Sequence, residues 1–216
     1  MLKKDFEDQF GVDLLPVSSA DIYLGEIWEW EGLFNSTLIR LQDDLCNHFR
    51  LADDAKAKDL LLKLKKVKKT EANFPDIEVS KDFKSSADLK VPSINLDLGN
   101  ELSVGSVKRF LFKGVKSKAI IELRPELDDL LNDLKDKNFK HYREKIRTNN
   151  VIIQLYYASS VEIAIDKNIS NKAEVEAKIK SLGNVDVDVA SATEIKFTVG
   201  SGDCPFAGQF VKGKEL

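Results

Sequence analysis

A chain of 216 residues can hold one large domain or two small ones. With 43% hydrophobic and 32% charged residues it is not a disordered chain, and with Cys46 and Cys204 alone it is not a disulfide scaffold. No run of about 18 apolar residues occurs, which excludes helical membrane spans and makes a soluble, cytoplasmic species the expectation, while strand spans stay open because their signal is alternation.

The net charge of −3 is unevenly spread, residues 1–62 carrying −7 and residues 103–149 carrying +5. A basic middle beside an acidic start points to an anionic partner or to self-complementarity.

In chain order, "LKKDFEDQF" sets Leu2, Phe6 and Phe10 on one side of a short helix that Gly11 stops. "VDLLPV" reads as a strand, and in "ADIYLGEIWEWEGLF" the alternating Trp28 and Trp30 sit among acids and glycines. Residues 36–50 fit a helix, or a strand followed by a helical turn. Residues 53–69 read as a helix with Leu60, Leu61, Leu64 and Val67 as its stripe and lysines around it.

Past Pro75 the period becomes two. Val79, Phe83, Ala87, Leu89 and Val91 hold the odd positions, Pro92 breaks the register, and Ile94, Leu96, Leu98, Leu102, Val104, Phe110 and Phe112 hold even ones. Residues 124–147 are the surest helix, with Pro125 and acids in the first turn, basic residues at the end, and Leu127, Leu130, Leu131 and Leu134 at helical spacing. Phe139, Tyr142 and Ile146 continue an apolar side past a break near Asn138.

Two long alternating runs follow. Odd residues from Val151 to Ile165 form the first, and odd residues from Val185 to Val199 the second. A globular strand averages about 5–6 residues, so each run is too long for an ordinary core. The linker "KNISNKAEVEAKIKSLG" fits a helix, with Glu174–Lys178 and Glu176–Lys180 pairs and Gly183 as stop, and equally fits a strand; helix is the better reading for the soluble chain.

The expected fold class is α+β, a twisted, mainly antiparallel sheet with helices packed on it. The hairpin regions are residues 79–112 and 151–199. Two functions fit the alternation. One is a protein whose hairpins convert to transmembrane β-strands, the other a soluble interaction or ligand-binding module whose sheet has one wet face.

Several stretches in order resemble the pore-forming N-terminal domain of the gasdermin family, in its short bacterial and fungal form. They are the first amphipathic helix leading to "GVDLLPVSSAD", the turn "IWEWEGLF", the basic helix running into a strand at "LLNDLKDKNFKHYREKIRTNNVIIQLYYASSVEIAI", and the ending "TEIKFTVGSGDCPFAGQFVKGKEL". The resemblance covers most of the chain, as a single pore-forming domain of residues 1–216 with no C-terminal inhibitory domain in it.

It implies a protein that binds acidic lipids at the inner face of the cell membrane, oligomerises and opens a β-barrel pore in defence or regulated cell death. The partner it implies besides lipid and further copies is an activating protease or an inhibitory chain. The lipid-binding residues carried over are Lys3 and Lys4, then Trp28, Trp30 and Phe34, then Lys137, Lys140, Arg143, Lys145 and Arg147. The membrane-facing set in the pore is Val161, Ile163, Ile165, Val185, Val187, Val189, Ile195, Phe197 and Val199. The N-terminal cysteine that bacterial relatives carry for acylation has no counterpart here, and Cys46 and Cys204 read as ordinary buried thiols.

Enzyme chemistry finds little footing, and no cofactor, metal or nucleic acid is expected. His48 and His141 are isolated in sequence and lack metal-ligand spacing. "VGSGD" is neither G-x-S-x-G nor a phosphate loop, and reads as a tight turn. Asp186 and Asp188 lie two apart on the wet side of a strand. The lysine-rich stretch 63–69 reads as the solvated face of a packed helix.

Overall fold

The structure, a computed structural model, describes residues 11–17, 19–31, 37–71, 77–79, 90–91, 94, 96–97, 107–137, 139–170, 172–183, 185–188, 191 and 193–216. The expected first helix with Lys3 and Lys4, Phe34, Val189, and Phe83, Ala87, Leu89, Leu98, Leu102 and Val104 of the first hairpin region lie outside the described residues.

The strands are β1 Asp13–Leu14, β2 Glu26–Glu31, β3 Thr37–Asp44, β4 Thr70–Glu71, β5 Ile77–Val79, β6 Lys90–Val91, β7 Leu96–Asp97, β8 Val107–Lys113, β9 Lys116–Ala119, β10 Asn150–Tyr157, β11 Ser160–Asp166, β12 Val185–Asp188, β13 Glu194–Gly200 and β14 Ala207–Lys212. The principal helices are α1 Leu45–Phe49, α2 Asp54–Lys66, α3 Arg124–Lys137 and α4 Lys172–Lys180. The chain divides into two compact units, each taken by itself below.

The first unit contains the described residues within 1–20, 71–116 and 156–207. Its main sheet has the order β12-β13-β11-β8-β5, antiparallel at every step. Because successive side chains alternate between faces, Val161, Ile163 and Ile165 of β11 share one face with their cross-strand partners Val199, Phe197 and Ile195 of β13. Val107, Phe110 and Phe112 of β8 join that face, and Val175 and Ile179 of α4 belong to the same buried cluster. The apolar side chains of β8 skip from Val107 to Phe110. The register between β8 and β11 slips there, Ala164 facing Arg109 but Ile165 facing Val107, so Lys108 is the extra residue of a bulge.

The two long alternations are each broken. Residues 184–199, expected as one strand, form β12 and β13 folded back on each other, with Val185 opposite Val199 and Val187 opposite Phe197. The turn is closed by Ser191, whose Oγ accepts from the backbone N–H groups of Thr193 at 3.2 Å and Glu194 at 3.1 Å. The turn preserves parity, so odd residues stay on one face and the alternation runs through it unbroken in sequence. Residues 151–166 form β10 and β11, which belong to different sheets. The break falls at Ser159, which donates its backbone N–H and its Oγ to the carbonyl of Lys113, at 2.8 and 2.9 Å. Gly114 beside it has φ +58, and a Cβ there would strike Ser159 Oγ, so both its backbone and the space require glycine.

The dual-pattern linker is a helix, as expected for the soluble chain. α4 carries ion pairs from Glu176 to Lys172 and Lys180, both 3.5 Å, and buries Val175 and Ile179. Gly183 ends it in the left-handed region at φ +74.

The second unit contains the described residues within 21–70, 117–155 and 208–216. Its sheet runs β14-β10-β2-β3, with β9 pairing both β10 and β4. Residues 36–50 take the second expected form, strand β3 followed by the short helix α1. Asp44 caps α1 by accepting from Asn47 N, and Asp53 caps α2 by accepting from Lys56 N.

α2 buries Ala57, Leu60 and Leu64, and α3 buries the expected Leu127, Leu130, Leu131 and Leu134. The helix expected over 124–147 changes character after Lys137. A single turn at Phe139–His141 leads into a π-helical turn, Tyr142–Ile146, in which Arg147 N donates to Tyr142 O at 3.0 Å. Among the described residues no helix is long and apolar enough to cross a membrane.

Candidate functional site

Two features carry the candidate function. In the first unit it is the β11/β13 pair with α4 between them in sequence. Val161, Ile163, Ile165 and Phe197 are fully buried, and Ile195 and Val199 nearly so. Val185 is partly buried against the same cluster, and Val187, on the outer strand, is 44% exposed.

The opposite face of this sheet is polar, and at its centre lies Glu162. Arg109 Nη2 donates to its Oε1 and Lys113 Nζ to its Oε2, both at 2.7 Å, and Lys196 Nζ stands 3.5 Å away. Burial alone would raise the Glu162 pKa, but Lys113, Lys196 and Arg109 outweigh it and hold the carboxyl below its usual range. The cations come from β8 and β13, the two neighbours of β11, so the cluster ties three strands together through one carboxylate.

In the second unit the candidate surface is the segment after α3. Lys137, Lys140, Arg143, Lys145 and Arg147 are all exposed. Lys137 Nζ donates to Ala52 O at 3.3 Å, and Lys140 lies 4.0 Å from Glu144. Lys145 and Arg147 carry no ion-pair partner among the described residues.

The π-helical turn produces this display. It turns Tyr142 and Ile146 inward, with Tyr142 Oη donating to Gly213 O at 3.2 Å, and leaves the basic side chains outward. Phe139, expected on the apolar side, is instead 57% exposed, with the Arg143 guanidinium 5.6 Å from its ring centre. The only sequence signal for this was its place among cations.

The tryptophans divide. Trp28 is fully buried, its Nε1–H donating to Glu26 Oε2 at 3.2 Å and its ring edge-on to Phe210 at 5.8 Å. Trp30, two residues on, is half-buried. Glu26 is itself buried and receives Arg40 Nη2 at 2.6 Å and Nε at 2.9 Å. Burial raises its pKa in spite of those bonds.

Cys46 is buried, which pushes its thiol up to about 12, and Cys204 is half-buried. Among the described residues no group of three or more His, Cys, Asp or Glu is arranged to hold a metal ion.

No family model matches this chain, and neither does any curated protein. Among solved structures it is similar to a bacterial gasdermin from Bradyrhizobium tropiciagri, at 10% identity, over 96% of this chain and 84% of that one, with a TM-score of 0.47.

Proposed function

We propose that this protein is a membrane pore-former of the gasdermin type, which binds acidic lipids, oligomerises and converts hairpins into a transmembrane β-barrel. One observation carries the reading most. β11 and β13 pair so that residue numbers sum to 360, from Ser160↔Gly200 to Asp166↔Glu194. The same ladder goes one step further, Lys167 N donating to Thr193 O at 2.8 Å. Continued through α4 and β12, this register sets Ile169 against Ser191, Ala173 against Val187 and Val175 against Val185, with the turn at Lys180.

Every one of those residues is odd-numbered and falls on the face that Val161, Ile163, Ile165, Ile195, Phe197 and Val199 already occupy. Of the twelve charged residues between Ser160 and Gly200, eleven are even-numbered, Lys167 being the exception. The extended hairpin therefore has one apolar and one charged face along arms of about 20 residues, against the roughly 9–11 that a tilted strand needs to cross hydrocarbon. A closed ring of such hairpins leaves no open edge in lipid.

Conversion requires unpairing β12 from β13 and unpacking α4, which holds to the core by Val175 and Ile179. Their burial contributes about 1.5–3 kcal/mol each, and a helix of nine residues has little stability of its own. The exposed cations Lys137, Lys140, Arg143, Lys145 and Arg147 supply the attraction to an anionic surface, about 1 kcal/mol apiece close to it. Phe139 is placed to enter the interface among them. Lys3, Lys4, Trp30 and Phe34 complete the proposed lipid-binding set; Trp28 would join it only after leaving its buried site.

Dye release from vesicles containing phosphatidylserine or cardiolipin tests the reading. Release from these and not from neutral phosphatidylcholine vesicles supports it. Intact anionic vesicles at saturating protein would leave a soluble α+β binding module.

A further inference from the structure

The two histidines of the chain, 93 residues apart, meet in the second unit. His48 Nδ1 lies 2.6 Å from His141 Nε2, and His48 Nε2 lies 2.7 Å from Asp43 Oδ2. His48 comes from α1, His141 from the turn that precedes the π-helix, and Asp43 from the end of β3. A bulge aims Asp43. Between the pairs Trp28↔Arg40 and Ile27↔Asp43, β3 carries two extra residues, and the second, Gln42, sits at φ +55.

These contacts fix the protons. An ionised Asp43, whose carboxylate also accepts Asn47 Nδ2 at 3.1 Å and the Asp44 backbone N–H at 2.9 Å, requires a hydrogen on His48 Nε2. His48 Nδ1 is then an acceptor, and His141 Nε2–H donates to it. One added proton can go to His141 Nδ1 without breaking the chain of bonds. A second must go to His48 Nδ1, where it would oppose the His141 N–H, so the bond between the rings is lost while His48 Nε2–H still donates to Asp43.

We infer that the His48–His141 pair is a proton-operated clasp, closed while at most one ring is charged and opened when both are. It joins α1 to the segment bearing Arg143, Lys145 and Arg147, so opening loosens that segment at His141, while the buried Tyr142 and Ile146 still hold it to the core. The groups that face the pair are Asp43 from β3, and Lys145 and Glu144 from the π-helical turn. Desolvation, His48 and Lys145 lower the His141 pKa, and Asp43 and Glu144 oppose them. The closed state therefore persists at neutral pH. The consequence at a membrane rests on the lipid-binding reading of the basic segment: an anionic surface concentrates protons, and adsorption would itself favour opening.

Hydrogen exchange in solution, with intrinsic rates corrected for pH, tests the clasp without any lipid. Protection of the amides of residues 139–147 is expected to fall about tenfold or more between pH 7.5 and pH 5. His141→Gln, whose amide can bond His48 Nδ1 without titrating, is expected to keep its protection at both. Equal protection of the unaltered chain at the two pH values, or an equal fall in His141→Gln, overturns the inference.

Imidazole NMR of the unaltered chain gives a second reading that needs no variant. Two coupled steps, the later one coinciding with the loss of protection, support the clasp, and two independent titrations overturn it. If the clasp opens in solution while adsorption to phosphatidylserine vesicles is the same at both pH values, the clasp stands and its consequence at a membrane fails; no adsorption at either pH is the result that removes the lipid reading of the segment.

Discussion

The backbone N–H of Lys167 donates to the carbonyl of Thr193 at 2.8 Å, one residue pair past Asp166 and Glu194, where β11 and β13 end. The ladder thus already points into the segment that folds as α4 and β12. The β11/β13 register of this sheet is kept in the proposed hairpin, which differs in that α4 extends and β12 leaves β13 to pair with it. A one-residue slip would turn every apolar side chain to the wrong face, and the proposed extension keeps them on one.

Val187 separates the sheet of this structure from the proposed pore. At 44% exposure on an outer strand, Val187→Asp is expected to change stability by no more than about 0.5 kcal/mol, as surface substitutions do. In the proposed pore it places a charge toward lipid in every subunit. Thermal unfolding should be nearly unchanged while dye release is lost. Release at the unaltered rate would remove Val187 from the lipid-facing set.

Phe197 carries the opposite burden. It is fully buried between its partners Ile163 and Val187 in the sheet. Phe197→Ala should cost about 3–5 kcal/mol by denaturant titration, as large-to-small core substitutions do.

Glu162 makes the first unit sensitive to acid. Its folded pKa is held below the unfolded value, so the unfolded chain binds the proton more readily. Its contribution is present above the unfolded carboxylate range and is lost as pH falls through the folded pKa. Glu162→Gln should lower the unfolding free energy at pH 7, read by denaturant titration, by about 1.5–3 kcal/mol, as loss of hydrogen bonds to a charged group does. The gap to the unaltered chain should close as both are brought to strongly acidic pH.

The basic segment is open to charge reversal. Lys145→Glu with Arg147→Glu, both exposed and without ion-pair partners among the described residues, should weaken adsorption to phosphatidylserine vesicles by at least about 2 kcal/mol at low salt. Cosedimentation over a salt series reads it, the difference shrinking as salt rises. Phe139→Ala, at a 57% exposed site, should reduce adsorption with little change in unfolding.

Local pattern was legible where one period dominated. The stripe Leu127, Leu130, Leu131 and Leu134 is buried as its spacing requires, and α4 forms in the linker that fitted both periods. Alternation from Val185 to Val199 matches burial in β13, at Ile195, Phe197 and Val199, but not at the exposed Val187, and it concealed the turn, because a loop of odd length keeps parity and Ser191 and Thr193 pass for small strand residues. The step from β10 to β11 was concealed too, since Ser159 keeps the odd register while changing sheets.

The bulge at Lys108 accounts for a lysine at an even position of the first alternating region, before Phe110 and Phe112. The π-turn after Phe139–His141, and the meeting of His48 with His141 across 93 residues, had no local signature. The π-turn packs where Tyr142 Oη donates to Gly213 O and where a Cβ on Gly213 would collide with the carbonyl of Ile146.

The conversion of α4 is measured most directly by an environment-sensitive fluorophore placed in turn at residues 173–180, in a Cys46→Ala, Cys204→Ser background, as the protein binds anionic vesicles. Ala173, Val175, Ala177 and Ile179 are predicted to shift toward the blue, as a label entering lipid does, with Glu174, Glu176, Lys178 and Lys180 unchanged, a period of two. A helical period near 3.6, or no shift at any position while the vesicles leak, would contradict it.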